Sequence, residues 1–205
     1  MTESLYGQMG VDAHKGTVES AFEGKIDNNF PHAFVNATRD KKAPGYVKTL
    51  KVDGDGSRPT QHVLHFMETG DETSFEPSAD DSHAMVATDA GAAGFIDEYT
   101  FADVLDVNKL AIPGRKDLKE MILYAYSKRI SEVIALHREY GFDEEFLGGE
   151  TADLPSQTSS YICNGVLQAR VHESCFIDGV TMPGDKIWGF SSGGKSRWEK
   201  KSTLV

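Results

Sequence analysis

The pattern of apolar and polar residues follows the period of a helix most clearly over residues 115–140. Pro113 and Gly114 precede this stretch, and Gly141 follows it as a natural stop. His137 lies on the apolar face, where a packed histidine is the simplest interpretation. The pattern therefore predicts one long amphipathic helix in the second half of the chain.

Shorter elements are predicted on both sides of this helix. Residues 17–24 have the spacing of a short helix, whereas residues 68–82 are acidic and rich in turn formers, which predicts a loop. Apolar runs predict strands at 46–52, 84–87, 146–147, 161–171 and 186–190, and a strand or a helix start at 61–67. The predicted class is α/β or α+β, in one domain or at most two small ones.

The charge of the chain restricts its partners. With 32 acidic and 21 basic side chains, the formal net charge is −11, which disfavours nucleic acid. The sequence has neither a secretory signal nor a membrane-spanning run, so we expect a cytoplasmic protein without membrane partners. Cys163 and Cys175 lack a CxxC spacing and are expected to be reduced thiols rather than a disulfide pair. An acidic protein that binds a nucleotide needs backbone N–H groups, a helix N-terminus or a divalent cation.

The first candidate site is the loop Asp53-Gly54-Asp55-Gly56-Ser57-Arg58, which follows a predicted strand. Glycines let backbone N–H groups approach phosphate oxygens closely. Asp53 at the strand end can hold Mg²⁺, and Arg58 can bind a phosphate in bidentate fashion. A polar hairpin turn is the alternative that composition alone favours. A calcium loop of the EF-hand type is excluded, because the required Gly and Glu positions hold Arg58 and Leu64.

The second candidate is the segment Gly148-Gly149-Glu150-Thr151-Ala152-Asp153-Leu154-Pro155. Paired glycines before a carboxylate suit a ligand held against the backbone, with Glu150 binding a metal or a sugar hydroxyl. The alternative is a tight turn in which Glu150 is a helix-capping charge.

Three other kinds of site are disfavoured. Residues 189–196 match the Walker A pattern, but too few residues follow Ser196 to build a nucleotide-binding fold there. The seven histidines show no metal-ligand spacing, so the sequence predicts no zinc site. No Gly-x-Ser-x-Gly or Cys/His pairing supports nucleophilic catalysis.

Several segments, taken in order, resemble the aminoimidazole ribonucleotide synthase family (phosphoribosylformylglycinamidine cyclo-ligase). They are Gly10-Val11-Asp12, the loop from Asp53 to Arg58, Thr88-Asp89, and the segment from Gly148 to Pro155. The family has Gly-Val-Asp, Asp-Gly-x-Gly-Thr-Lys, Asn-Asp and Gly-Gly-Glu-Thr-Ala-Glu-Met-Pro in the same order. Residues 177–193 also look like the two strands that follow in the family.

The resemblance implies a single N-terminal ATP-binding domain over residues 1–205. Its mixed sheet, flanked by helices, would form half of a β-barrel at a homodimer interface. The family's C-terminal domain would be absent from this chain, and a separate chain could supply it. The sequence departs from the family at Arg58, where lysine is usual, at Thr88, where asparagine is usual, and at residues 30–34, where many members have glycines.

The resemblance also implies the site and the reaction. ATP and Mg²⁺ would lie in a groove beside the barrel, with three catalytic and metal-binding carboxylates: Asp53, Asp89 and Glu150. The residues lining the nucleotide would be Gly54, Gly56, Ser57, Arg58, Gly148 and Gly149. The family phosphorylates the amide oxygen of formylglycinamidine ribonucleotide, and ring closure then releases phosphate and gives aminoimidazole ribonucleotide.

Two alternatives stay open beside the cyclo-ligase. Formylglycinamidine synthetase, selenophosphate synthetase and thiamine phosphate kinase share the barrel and the acidic site with this family. A catalytically silent dimeric scaffold of the same fold is the second alternative.

Overall fold

A computed structural model describes residues 5–8 and 16–189. The strands are β1 (Ala37–Arg39), β2 (Tyr46–Gly54), β3 (Glu98–Val107), β4 (Asp143–Asp153) and β5 (Tyr161–His172). The α-helices are α1 (Leu5–Gln8), α2 (Gly16–Phe22), α3 (Arg58–Thr69), α4 (Pro77–Ala92) and α5 (Leu118–Glu139), and 3-10 turns cover Glu72–Phe75 and Glu173–Cys175. No helix in these ranges is both long and apolar enough to cross a membrane.

The five strands form one mixed sheet in the order β1-β2-β5-β3-β4. Neighbouring strands are antiparallel, except that β3 and β4 are parallel. Helices α3, α4 and α5 contact one face of this sheet. In β3 and β5, nearly every second side chain is buried against the helices, because successive residues of a strand point to opposite faces. The core lies between these two layers and includes Phe75, Val86, Phe101, Ile122 and Leu167.

The opposite face of the sheet is not covered by any element of the described chain. It carries apolar side chains that are largely exposed, among them Leu50 at 64%, Val52 at 57% and Ile162 at 39%. The sheet is open within one chain, so the barrel shared by two copies remains a prediction.

Several predicted elements are confirmed. The helix predicted at 115–140 is α5, the short helix at 17–24 is α2, and the run at 61–67 lies in α3. The strands predicted at 46–52, 146–147 and 161–171 are β2, part of β4 and β5.

The prediction is wrong between β2 and β3. Residues 84–87, predicted as a strand, lie in the middle of α4, and much of the loop predicted at 68–82 is helical. The buried positions of α4 hold small residues such as Ala79, Ser82 and Ala90, which give a weak apolar stripe along the sequence. Its acidic residues are paired within the fold, Asp80 with Arg129 for example. The acidic pattern was therefore mistaken for a solvent-exposed loop.

Other predictions fall at the ends of the chain. Residues 177–189 form no strand, although one was predicted at 186–190 and the resemblance implied two at 177–193; residues 190–193 lie outside the described range. Gly10-Val11-Asp12 and all but Gly189 of the Walker A match also lie outside it.

Candidate functional site

A glycine-containing loop connects the end of β2 to the start of α3. The N–H of Asp55 donates to the carbonyl oxygen of Cys163 at 3.0 Å, and the N–H of Cys163 donates to Oδ1 of Asp55 at 3.2 Å. These two bonds tie the loop to the neighbouring strand β5. Gly56 has φ +60°, a left-handed conformation that favours glycine. The loop is therefore a fixed connection from a strand to a helix and not the polar hairpin turn that composition alone favoured.

The loop leads directly into the N-terminus of α3. Ser57 is the N-cap residue, but its side chain makes no capping hydrogen bond, and Pro59 supplies no N–H in the first turn. Within residues 5–8 and 16–189, no acceptor pairs with the N–H groups of Gly56 and Ser57. Free N–H groups at the start of a helix form a favourable environment for an anion.

Asp53 and Asp89 both form ion pairs with the side chain of Lys51. The ammonium Nζ of Lys51 lies 3.0 Å from Oδ2 of Asp53 and 2.7 Å from Oδ2 of Asp89. Lys51 and Asp53 are two positions apart in β2 and share its helix-facing side, while Asp89 comes from the last turn of α4. All three side chains are between 23% and 33% exposed, so the pair is accessible from solvent.

The pKa of Lys51 reflects this pair of carboxylates. Burial alone lowers its pKa, but hydrogen bonds to Asp89 and Asp53 outweigh burial and raise it above the ordinary value. The ammonium therefore stays charged and holds two carboxylates together. Strand β1 pairs with β2 only as far as Thr49, so this end of β2 has a free edge.

Arg58 is held by an acidic partner on α4. Its Nε donates to Oδ2 of Asp81, and the same oxygen lies 3.8 Å from Nε2 of His62. This ion pair fixes the guanidinium in the first turn of α3, next to the loop. Arg58 thus lies where an anion bound at the helix N-terminus would meet it.

Asp55 is buried beneath the loop and was given no role by the sequence. Its Oδ2 has no hydrogen-bond partner among the described residues, and burial raises its pKa to about 7. The loop therefore contains a carboxyl group that changes charge near neutral pH.

The glycine pair of the second candidate has a backbone role in this fold. Gly148 has φ +77° and lies at an irregularity of the β3–β4 pairing, between the pairs Phe101–Phe146 and Asp103–Gly149. A Cβ on Gly149 would lie 2.1 Å from the carbonyl oxygen of Asp103. Both glycines are thus required by the strand geometry, and their contact with a nucleotide remains a prediction.

Glu150 lies apart from the two other predicted carboxylates. The pairing register places Gly54, Asn164, Val104 and Glu150 in one row, on the face of the sheet that points away from the helices. This row crosses three strand spacings of about 4.8 Å each, so Gly54 on β2 and Glu150 on β4 are roughly 14 Å apart. Asp53 faces the helices instead. The structure of one chain brings Asp53 and Asp89 together, and it leaves Glu150 at a separate position.

Sequence reasoning missed Lys51 and Asp81. A signal for Lys51 was present, because an alternating strand places residues 51 and 53 on the same face. Asp81 had no such signal, since its helix was predicted to be a loop.

A second concave region lies between α5 and the β3–β4 pair. It has a volume of about 310 Å³ and is lined by Asp103, Leu105, Leu123, Tyr126 and Phe146. Burial raises the pKa of Asp103, and a hydrogen bond with Tyr126 offsets part of that rise. A largely apolar recess with one buried carboxyl suits a small organic ligand.

Comparisons with known proteins give likenesses of backbone structure only. No model of a known protein family matches the chain, and no curated protein matches it. Thiamine monophosphate kinase from Aquifex aeolicus is similar over 77% of this chain and 41% of its own, with 13% identity and a TM-score of 0.45. T. maritima PurL complexed with ATP is similar over 84% and 27%, with 9% identity and a TM-score of 0.41. The HypE-HypF complex is similar over 78% and 43%, with 15% identity and a TM-score of 0.43. This chain thus spans less than half the length of each of these proteins.

Proposed function

We propose that this chain binds ATP and Mg²⁺ as the nucleotide-binding domain of a cyclo-ligase of purine synthesis. The observation that carries the proposal is that Asp53 and Asp89 lie together at the ammonium group of Lys51. They lie beside a glycine-containing loop that leads into the N-terminus of α3. Carboxylate oxygens are the ligands that Mg²⁺ prefers, and backbone N–H groups at a helix start favour phosphate.

The fit of Mg²⁺ is supported by the ammonium of Lys51. A positive group already lies at 3.0 and 2.7 Å from the two carboxylates, so the fold provides a cation position with two negative ligands. Asp53 and Asp89 would hold Mg²⁺ there, in exchange for one or both contacts of Lys51. When bound, the metal would neutralise charge on the phosphates of ATP.

The rest of the phosphate site would consist of the loop and the start of α3. The free N–H groups of Gly56 and Ser57 would donate to phosphate oxygens, and Arg58 would add a fixed positive charge. Gly54 lies close to the side chain of Asn164, because a Cβ on residue 54 would be 2.3 Å from Oδ1 of Asn164. An acidic chain can bind an anion in this way because backbone N–H groups, a helix N-terminus and a bound divalent cation supply positive charge locally.

The proposed chemical step is that of the aminoimidazole ribonucleotide synthase family, whose motifs occur in the same order in this sequence. The γ-phosphoryl group of ATP would move to the amide oxygen of formylglycinamidine ribonucleotide, which breaks the bond to ADP. An internal amine nitrogen of the substrate would then attack the activated carbon and release inorganic phosphate with closure of the ring. Within one chain Glu150 lies apart from Asp53 and Asp89, so any role of Glu150 and the Gly148-Gly149 backbone in this reaction would depend on a second copy of the chain that completes the barrel.

One observation favours a different function, that of a dimeric scaffold without catalysis. Lys51 already satisfies both carboxylates, so the acidic pair has a structural role even in the absence of metal. In that case the open apolar face would retain its role in dimerisation, and ATP would not bind.

Thermal unfolding distinguishes the two functions. ATP with Mg²⁺, at about 100 times the dissociation constant, should stabilise the chain by about 2.7 kcal/mol and raise the Tm by roughly 5–10 °C. Asp53→Asn and Asp89→Asn should each abolish the shift while circular dichroism shows an intact fold. Glu68→Gln, which changes an exposed carboxylate on α3, is the matched control and should retain the shift. A shift that persists in both aspartate variants would reject this site, and no shift in the unmodified chain would favour the scaffold.

A further inference from the structure

Three potential metal ligands from three elements meet in the core, and one of these elements, α4, also carries Asp89 of the acidic pair, six residues after His83. Nε2 of His83, on α4, lies 2.6 Å from Oε1 of Glu144, which is near the start of β4. Nδ1 of His137, in the last turn of α5, lies 2.8 Å from Oε2 of the same carboxylate. One ligand atom from each residue lies within 4.8 Å of the others.

The cluster is almost completely removed from solvent. The side chain of Glu144 is 0% exposed, that of His83 is 3% exposed and that of His137 is 18% exposed. The rings of Phe101 and Phe142 flank the two histidines, with centroid distances of 5.0 and 5.1 Å. A carboxylate in such an apolar environment is costly unless a positive charge or several hydrogen bonds compensate it.

Burial raises the pKa of Glu144, but its contacts with His137 and His83 outweigh burial and lower that pKa to about 2. The Nε2–H of His83 donates to Oε1 of Glu144, but the N–H direction at Nδ1 of His137 does not meet Oε2. Nδ1 of His137 and Oε2 of Glu144 are therefore two buried polar atoms, 2.8 Å apart, without hydrogen-bond geometry between them. One atom from each of the three side chains can bind a common metal ion, which would replace the direct contact between His137 and Glu144.

We propose that His83, His137 and Glu144 form a zinc site that is independent of the nucleotide site. Two imidazole nitrogens and one carboxylate oxygen are a ligand set that Zn²⁺ uses, and imidazole disfavours Mg²⁺. A water molecule on the partly exposed side of His137 would complete the tetrahedron. The two N···O contacts of 2.6 and 2.8 Å would lengthen on binding, because ligand atoms held at about 2.0–2.1 Å from one tetrahedral ion lie roughly 3.3 Å apart.

The proposed zinc ion would link three elements that are distant in sequence. Helices α4 and α5 and strand β4 would be held at one point, and β4 continues from there to the Gly148-Gly149-Glu150 segment. The ion would thus fix the edge strand on which that segment lies. The sequence could not reveal this site, because its ligands lie on separate elements and have no characteristic spacing.

The test uses the full chain after treatment with a chelator. Zinc titration followed by calorimetry should show one ion per chain, with a rise in Tm. His137→Gln and His83→Gln should each lower the zinc affinity by at least about 100-fold, because even residues that only support a ligand cost 10- to 100-fold. His62→Gln, which changes a buried histidine elsewhere in the core, is the control and should retain zinc binding.

Further measurements separate this site from the acidic pair and from a cluster without metal. The titration should be unchanged in Asp89→Asn and in excess Mg²⁺. Co²⁺ should give the strong visible absorption of a tetrahedral site in the unmodified chain and not in His137→Gln. The proposal is overturned if the folded, chelator-treated chain takes up no zinc, or if both histidine variants bind it as well as the unmodified chain does. His137→Gln keeps a hydrogen-bonding group at the surface end of α5, so it tests the site even if His83→Gln does not fold.

Discussion

Gly149 and Asp103 lie directly opposite each other in the parallel pair β3–β4, with no space for a side chain at residue 149. A Cβ there would lie 2.0 Å from Oδ1 and 2.1 Å from the carbonyl oxygen of Asp103. The backbone of β3 cannot yield without disturbing its pairing with β4 on one side and β5 on the other. The strand pairing therefore requires glycine at position 149, the second glycine of the Gly148-Gly149-Glu150 segment.

Replacing Gly149 by alanine should destabilise the fold strongly. We expect Gly149→Ala to lower the free energy of unfolding by more than about 2 kcal/mol, because the new methyl group meets backbone and a buried carboxyl group. Gly148→Ala is the matched control, since its Cβ would meet open space and only the left-handed φ of +77° is strained. That strain costs about 1–2 kcal/mol. Urea unfolding measures both values, and a larger loss in Gly148→Ala would contradict the packing seen here.

Removal of Lys51 should make the chain depend on Mg²⁺. In Lys51→Met, Asp53 and Asp89 lose their shared cation, and we expect a loss of about 1–2 kcal/mol in unfolding free energy without metal. Added Mg²⁺ should restore this loss and should stabilise the variant more than the unmodified chain. Lys48→Met, on the open face of the same strand, is the control and should show no such dependence. Equal responses of the two variants to Mg²⁺ would argue against a cation position at the acidic pair.

His62 should make stability decrease in acid. Burial lowers its pKa from 6.5 to about 4, so the folded chain keeps it neutral while the unfolded chain binds a proton below pH 6.5. Stability from this group is therefore complete above pH 6.5 and is lost as the pH falls to about 4. The loss amounts to about 3 kcal/mol over that window.

The measurement is the difference between the unmodified chain and His62→Gln in unfolding free energy, from pH 7 to pH 4. Other groups that titrate in this range, Asp55 included, are common to both proteins and cancel. His65→Gln changes an exposed histidine of the same helix and should retain the original dependence. If the unfolding free energy of His62→Gln depends on pH in the same way as that of the unmodified chain, His62 is protonated in the folded chain.

The open face of the sheet should mediate dimerisation. Leu50 and Val52 point away from the core and are 64% and 57% exposed, so Leu50→Glu with Val52→Glu should give a folded monomer. Light scattering should show a dimer for the unmodified chain. Leu64→Glu, an exposed position of α3 at 58%, is the control and should remain dimeric. A monomeric unmodified chain would contradict the predicted barrel.

The sequence by itself determined the elements whose pattern is strong and local. The long helix α5 and the strands β2 and β5 follow from periodic apolar residues, since their buried faces recur at a fixed spacing. The loop from Asp53 to Arg58 was also found from sequence, because a strand end followed by glycines is a local signal. Helix α4 was missed, because its buried face is built from small residues that carry little apolar contrast.

Only the tertiary structure decided which side chains meet. Asp89 reaches Lys51 because α4 packs across β2, and His83, His137 and Glu144 come together because three elements converge in the core. It also placed Glu150 on the opposite face of the sheet from Asp53, although the motif order suggested a common site. Local patterns follow from the periods of helix and strand, whereas contacts between distant residues depend on how layers pack, and no single segment specifies that packing.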